Sequence, residues 1–231
     1  MNSQRGGLLL QGNRVLDLGL AFSRSHPAAI SSPDDTAGIL QSLRGLSSTV
    51  QDIMAGGEEL LTHCFELERM ALGGRLEECI LPLGETPLIA PLPEPPMVVC
   101  FQASELHALS LRNSPGYPGG KFPPSWYTLP AYYYGAPSLI CGGGESLTPP
   151  AGEMEIDFEL GIGCVLCEDV LNAGIEEAED AIFGYTVVVD WVARGLEKAD
   201  LEIGIGPARS RCMGMVMGPW FATKDEVPKI S

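Results

Sequence analysis

Near the start of the chain, apolar Val15, Leu16, Leu18 and Leu20 follow the turn pair Gly12-Asn13. Such a run after a turn predicts a strand, with Leu8 to Leu10 as its hairpin partner. Asp34-Asp35-Thr36 reads as a helix start, ahead of Ile39, Leu40, Leu43 and Leu46 at helical spacing. A second helix is predicted over 57–71, with Leu60, Leu61, Phe65, Leu67 and Met70 as its apolar positions and Gly73-Gly74 as its stop. Six prolines between positions 82 and 96 exclude a helix and predict an extended connection, which places a boundary near Ala90. Beyond it the pattern predicts a strand over 97–101, a helix over 103–111 and a Pro/Gly-rich loop over 114–125. An aromatic strand over 131–134, a strand over 156–166, an acidic surface helix over 175–181 and a strand over 184–189 follow. Helices interrupting many short strands, with no internal repeat, point to an α+β fold.

Two acidic patterns carry chemistry. Glu155-Ile156-Asp157-Phe158-Glu159-Leu160 alternates acid and apolar residue. A strand has a side-chain period of two, so the three acids share one face and Ile156, Phe158 and Leu160 the other. Like charges on one face repel and need compensation. A hard divalent cation supplies it, because acids at i and i+2 can reach one ion through oxygen. A solvated face on an antiparallel edge is the other reading. Asp190 stands alone in the apolar run Val187 to Val192. A buried carboxylate without a partner is costly, so Asp190 takes a partner or a metal, or caps a turn at the edge of the core.

Composition narrows the classes. Apolar residues make up 45% and charged residues 19%, enough for a packed core, and 28 Gly with 19 Pro suit short strands and turns. The formal net charge of −16 argues against a nucleic-acid partner. No apolar run approaches the length of a membrane crossing, and the N-terminus lacks the pattern of a signal peptide. Seven scattered cysteines do not form a disulfide framework, so a cytoplasmic location is expected. Cys164 and Cys167 are a lone pair on a strand, and Gly142-Gly143-Gly144 lacks a phosphate-loop Lys, so neither zinc nor nucleotide binding is expected.

Taken in order, Asp157-Phe158-Glu159-Leu160, Phe183-Gly184-Tyr185-Thr186, Asp190-Trp191-Val192-Ala193-Arg194 and Gly218-Pro219-Trp220 resemble the fumarylacetoacetate hydrolase family. The likeness runs from about Gly12 to the last residue, and the N-terminal third shares only its general style. It implies a metal, Mg2+ or else Mn2+ or Ca2+, held by Asp157, Glu159 and Asp190. Asp157 stands where most members carry Glu. The family segment that joins an Asp ligand to a general-base His reads Cys100-Phe101-Gln102-Ala103-Ser104-Glu105-Leu106-His107 here. His107 fits as the catalytic base. Cys100 replaces the Asp, and a soft thiol is a poor match for Mg2+. Tyr133 falls at a substrate-contacting position. A family Lys ahead of the Gly-Pro-Trp is matched by Arg211, with Arg209 as second choice and substrate contact; Arg keeps the charge in a different donor set. Val189, Val192 and Gly195 replace a usual Asn, Ser and acid, each removing polarity near the site.

The resemblance further implies a mixed β-sheet roll, divided into an N-terminal region (1–90) and a fumarylacetoacetase-like catalytic domain (91–231). Members continue past the Gly-Pro-Trp strand, so the roll is expected to be incomplete at the C-terminus, with an open sheet edge. The implied activity is metal-dependent hydrolysis of a carbon–carbon bond in a small 1,3-dioxo or acylpyruvate-type acid. His107 would take a proton from water, and Arg211 would steady the enolate that leaves. Decarboxylation, isomerisation or hydration of an oxo acid on the same scaffold is the alternative, and an inactive or weakened relative that binds or assembles is another. The implied partners are a small anionic oxo acid and a second copy of the chain in a homodimer, with no nucleic acid and no membrane.

Overall fold

The computed structural model describes residues 5–25 and 49–228; the helix expected from Asp34 lies outside the described residues. The chain forms two compact units, one of 1–92, 163–186 and 219–231 and the other of 93–162 and 187–218. Among the described residues no helix is long and apolar enough to cross a membrane.

In the first unit, β1 (Gly7–Leu10) pairs antiparallel with β2 (Arg14–Asp17), and β3 (Ile80–Pro82) pairs antiparallel with β2. Gly12 and Asn13 turn the hairpin at φ 78° and 56°, left-handed values that Gly and Asn adopt at low cost. The strand expected to reach Leu20 stops at Asp17. There Asp17 Oδ1 accepts from Leu20 N at 3.0 Å, caps the helix α1 (Leu18–Ser25) and delivers Leu18 to the core as a helical residue. Helix α2 (Val50–Ala55) opens with a capping box of Thr49 and Asp52. Helix α3 (Gly57–Leu72) matches the expected second helix and buries Leu60, Cys64, Leu67 and Ala71 along one face. These pack with Leu16, Leu18 and Phe22 into one hydrophobic cluster. The acidic segment Ile175–Asp180 is a short helix with no buried residue, as its pattern predicts.

In the second unit, β4 (Val99–Phe101) pairs antiparallel with β5 (Tyr132–Tyr134), with Cys100 opposite Tyr133. Helix α4 (Glu105–Arg112) starts at Ser104, whose hydroxyl accepts from His107 N at 3.4 Å. β6 (Ile140–Cys141) and β7 (Ile156–Leu166) follow, and β7 takes the residues expected of it. β8 (Ile182–Ala193) is longer than the expected strand and pairs with β7. β9 (Met215–Met217) lies antiparallel to the end of β8 and parallel to β6. Helix α5 (Arg194–Ile203) leaves β8 without a loop. The two faces of β7 are unusual. Phe158, Leu160 and Ile162 are 56%, 72% and 79% exposed, whereas the Glu159 side chain is only 20% exposed. Glu159, and not Phe158 or Leu160, faces the packed side, while Asp157 is half-exposed at its edge.

In the first unit the early part of β8 carries β10 (Ala222–Thr223), with Gly184 opposite Thr223. A Cβ on Gly184 would lie 2.2 Å from the Ala222 carbonyl oxygen and 2.9 Å from Thr223 Cα, backbone atoms that cannot swing aside. Gly184→Ala is therefore expected to cost about 1–3 kcal/mol. A urea-unfolding midpoint unchanged from wild type would show that β10 does not approach β8 this closely.

Candidate active site

Four elements of the second unit deliver one charged cluster. The period of β7 carries Asp157 and Glu159 to a common side. Asp190 comes late in β8, just before the fully buried Val192 and Ala193. Because α5 begins at once, Arg194 and Glu197 stand one helical turn apart on one face. Arg211 comes from a short 3-10 turn, Arg209–Arg211. That turn is fixed by the fully buried Asp200, which accepts from Arg209 N at 2.9 Å and from Arg209 Nε at 2.7 Å.

The contacts close a ring. Arg211 Nη1 donates to Glu159 Oε2 at 2.8 Å and to Asp190 Oδ2 at 3.1 Å, and its Nη2 donates to Glu197 Oε1 at 2.8 Å. Arg194 Nη1 donates to Glu197 Oε2 at 2.7 Å, and Arg194 Nη2 lies 2.9 Å from Glu159 Oε1. Charge thus alternates around Glu159, Arg211, Glu197 and Arg194. Asp157 joins from outside, accepting from Arg194 Nε and Nη2 at 2.9 and 2.8 Å. Charge-assisted bonds to a planar fork are the strong kind. The Tyr133 hydroxyl donates to Asp190, and its ring lies 5.6 Å from the Arg211 guanidinium carbon. The Tyr117 hydroxyl donates to Glu197. His107 Nε2 stands 3.7 Å from Glu159 Oε1.

The ring sets the proton affinities. Burial works against ionising Glu159, but the hydrogen bond and charge of Arg211, with those of Arg194, outweigh it and hold the carboxyl below its usual value. Asp157 goes the same way: burial opposes, and Arg194 with the Phe158 amide prevails. At Asp190 burial wins over the Tyr133 hydroxyl and Arg211, and the carboxyl is raised. A lowered acid stabilises the fold fully above the usual carboxylate range and loses that stabilisation as pH falls through its folded value. A raised acid favours the fold below that range and gives this up as pH rises through its folded value. Stability should accordingly fall as pH drops below about 4. Glu159→Gln should flatten this acid limb and Asp190→Asn should leave it in place, as read from urea unfolding at a series of pH values.

The structure brings Asp157, Glu159, Asp190, Tyr133, His107 and Arg211 into one cluster, with Cys100 across from Tyr133. Arg209 is bound to Asp200 instead. Arg194, Glu197 and Tyr117 escaped the sequence reading. Arg194 closes the Asp190-Trp191-Val192-Ala193-Arg194 motif, and Glu197 follows it at helical spacing; for Tyr117 no local signal exists. Gly195 also finds its reason. A Cβ there would lie 2.7 Å from Glu153 Oε2, and the Glu153 carboxylate accepts from Leu196 N at 3.0 Å at the start of α5. An acid from elsewhere in the chain restores the polarity that Gly195 removes.

Charge and donor type suit a divalent cation here. Four carboxylates, Asp157, Glu159, Asp190 and Glu197, meet two guanidiniums, which leaves two negative charges over. Glu159 Oε1 is buried without a hydrogen-bond partner among the described residues, since its ion pair with Arg194 lacks hydrogen-bond geometry. Oxygen donors match a hard cation. Among the described residues no three His, Cys, Asp or Glu side chains already surround one point, and Arg211 lies between Glu159 and Asp190. Burial, above all, raises the Cys100 thiol, which keeps it protonated and a weak ligand.

The family model of the fumarylacetoacetate (FAA) hydrolase C-terminal region matches residues 98–231. A fumarylacetoacetase from Dictyostelium discoideum is 28% identical over 144 residues, 54% of this chain and 34% of its own length. An oxaloacetate tautomerase from Bacillus subtilis (strain 168) is 23% identical over 226 residues, 96% of this chain and 66% of its own. The chain therefore spans about a third of the first relative and about two thirds of the second. Among solved structures, maleylpyruvate hydrolase from Sphingobium sp. SYK-6 in complex with manganese(II) ion and pyruvate gives a TM-score of 0.57, over 99% of this chain and 67% of that one. At 18% identity this likeness carries the fold alone, a mixed α+β architecture.

Proposed function

Because the chain belongs to the fumarylacetoacetate hydrolase family, we propose that it is a metal-dependent hydrolase that cleaves a carbon–carbon bond in a small 1,3-dioxo or acylpyruvate-type acid. The observation that carries this is the convergence of Asp157, Glu159 and Asp190 on one cluster with surplus negative charge, beside His107 and Arg211. The relatives' names, a fumarylacetoacetase, an oxaloacetate tautomerase and a maleylpyruvate hydrolase, support a small oxo acid as substrate. Their variety keeps isomerisation, decarboxylation and hydration open on the same scaffold.

Asp157, Glu159 and Asp190 would hold the cation, Mg2+ or else Mn2+ or Ca2+; when bound it supplies Lewis-acid polarisation of a substrate oxo oxygen. His107, half-exposed next to Glu159, takes a proton from water. The water oxygen bonds to a carbonyl carbon, the adjoining carbon–carbon bond breaks, and the departing carbon keeps the electron pair as an enolate that then takes up a proton. Arg211 Nε is buried with no hydrogen-bond partner among the described residues, which leaves a donor for that developing negative charge. Tyr133 and, farther out, Arg209 contact the substrate.

In the same reading the protein is a cytoplasmic homodimer, with 91–231 as catalytic domain and 1–90 as a separate N-terminal region. All seven cysteines are free thiols, which suits a reducing compartment. Exposed Phe158, Leu160 and Ile162 offer an apolar face to a second copy.

Turnover of an acylpyruvate and of oxaloacetate, with Mg2+ or Mn2+ and after chelation, tests the proposal. Cation-dependent cleavage to two acids, or to an acid and a ketone, is the expected result. Cation binding without turnover would favour a binding or assembly module, the reading to which Cys100 and the grip of Arg211 on Glu159 and Asp190 also lend weight. Failure to bind any divalent ion would remove the ligand set.

A further inference from the structure

We propose that Arg211 is a built-in counter-cation that holds Glu159 and Asp190 when no divalent ion is bound and competes with that ion for both. This rests on the metal-binding reading above and adds a specific resident competitor to it. One nitrogen, Arg211 Nη1, sits 2.8 Å from a Glu159 oxygen and 3.1 Å from an Asp190 oxygen. A hard cation would approach both oxygens to about 2.0–2.6 Å, so the nitrogen and the ion cannot share that position.

The grip is built into the fold. The Arg211 side chain is 8% exposed, its other terminal nitrogen is 2.8 Å from Glu197, and the Tyr133 ring backs its guanidinium. The turn before it is tied to buried Asp200. A planar five-donor fork can reach Glu159, Asp190 and Glu197 at once, which a single ammonium cannot do with the same geometry. Arg211 therefore offsets part of the acids' charge in the metal-free protein, and the two negative charges left over are what a divalent ion would neutralise.

The test is Mn2+ titration of the full chain, following free Mn2+ by electron paramagnetic resonance, for wild type, Arg211→Lys, Arg211→Gln and Glu197→Gln. Arg211→Lys keeps the charge and removes the fork, so a gain there reports displacement rather than net charge. Wild type should bind Mn2+, and Arg211→Lys and Arg211→Gln should bind it about tenfold or more tightly, because apparent affinity rises as the competent fraction rises. Glu197→Gln, which loosens the far anchor of Arg211, should shift affinity in the same direction by less. Without metal Arg211→Gln should melt below wild type, and Mn2+ should raise its melting temperature more than that of wild type. If Arg211→Gln does not fold, Arg211→Lys alone decides. Wild-type binding with equal or weaker binding by Arg211→Lys would overturn the counter-cation while leaving the metal reading intact. No binding by any folded variant would overturn both.

Discussion

Glu197→Ala is expected to lower stability by about 3–5 kcal/mol, the loss of two buried hydrogen bonds to charged groups. Glu197 is 3% exposed and accepts from both guanidiniums of the ring, at 2.7 Å from Arg194 and 2.8 Å from Arg211. Its removal takes one acceptor from each of two guanidiniums whose side chains are only 11% and 8% exposed; Arg194 keeps Asp157 and Glu159, Arg211 keeps Glu159 and Asp190, and the Tyr117 hydroxyl loses its acceptor. Buried donors left without an acceptor are costly enough that the ring must rearrange or admit water. Glu197→Gln should cost less, since one acceptor oxygen survives while the new amide donor faces a guanidinium. The contrast is Lys198→Ala on the next position of the same helix. Lys198 pairs with Glu155 at 2.6 Å, but with side chains 32% and 58% exposed. That loss should stay below about 1 kcal/mol. Urea unfolding of the three variants checks the order. A Glu197→Ala cost no larger than that of Lys198→Ala would mean that the ring does not persist in solution.

How far the sequence revealed this site depends on which element supplies each part. The period of two along Ile156–Leu166 marked the strand and set Asp157 and Glu159 on one face. The same pattern demanded something to neutralise them, and a cation was the expected answer. The structure shows two arginines there, delivered by the start of α5 and by the turn after it. A period within one strand cannot reveal donors brought by another element, so Arg194 and Glu197 were visible only as parts of a motif and of a helix face. Local preference failed at Leu18 and Leu20 as well: their spacing suits a strand, yet the Asp17 cap starts a helix. β9 and β10 have three and two residues, too short for any periodicity to register, and only pairing with neighbouring strands defines them. α3 was legible because Leu60, Leu61, Phe65, Leu67 and Met70 recur over a long segment, although Cys64 and Ala71, and not the exposed Phe65, join Leu60 and Leu67 in the core. The exposure of Phe158, Leu160 and Ile162 could not be foreseen, since alternation says that two faces differ but not which one is packed.

His107→Asn should separate chemistry from architecture. Under the proposed mechanism it should lower kcat by about 10²–10⁴, the range supplied by a positioned general base. Its effect on stability should stay within about 0.5 kcal/mol, because substitutions at exposed positions outside packed networks cost little. The geometry supports that split. His107 is 52% exposed, and its side chain has one charged neighbour, Glu159 at 3.7 Å. What ties the residue to α4 is its backbone N, which donates to Ser104 and survives the substitution. KM should change little, since the imidazole acts on water rather than holding the substrate. Glu197→Ala should show the opposite profile, with stability lost first and activity falling because Arg194 and Arg211 lose their alignment. Steady-state kinetics and urea unfolding on both variants distinguish a proton-transfer group from a scaffold group. If His107→Asn kept the wild-type kcat, the base would have to be sought elsewhere, and the cluster offers no second imidazole among the described residues: His63, the other described histidine, pairs with Glu66 on α3 in the first unit. A carboxylate of the ring would then be the remaining acceptor, and Asp190, whose proton affinity is raised where that of Glu159 is lowered, would be the one to replace next.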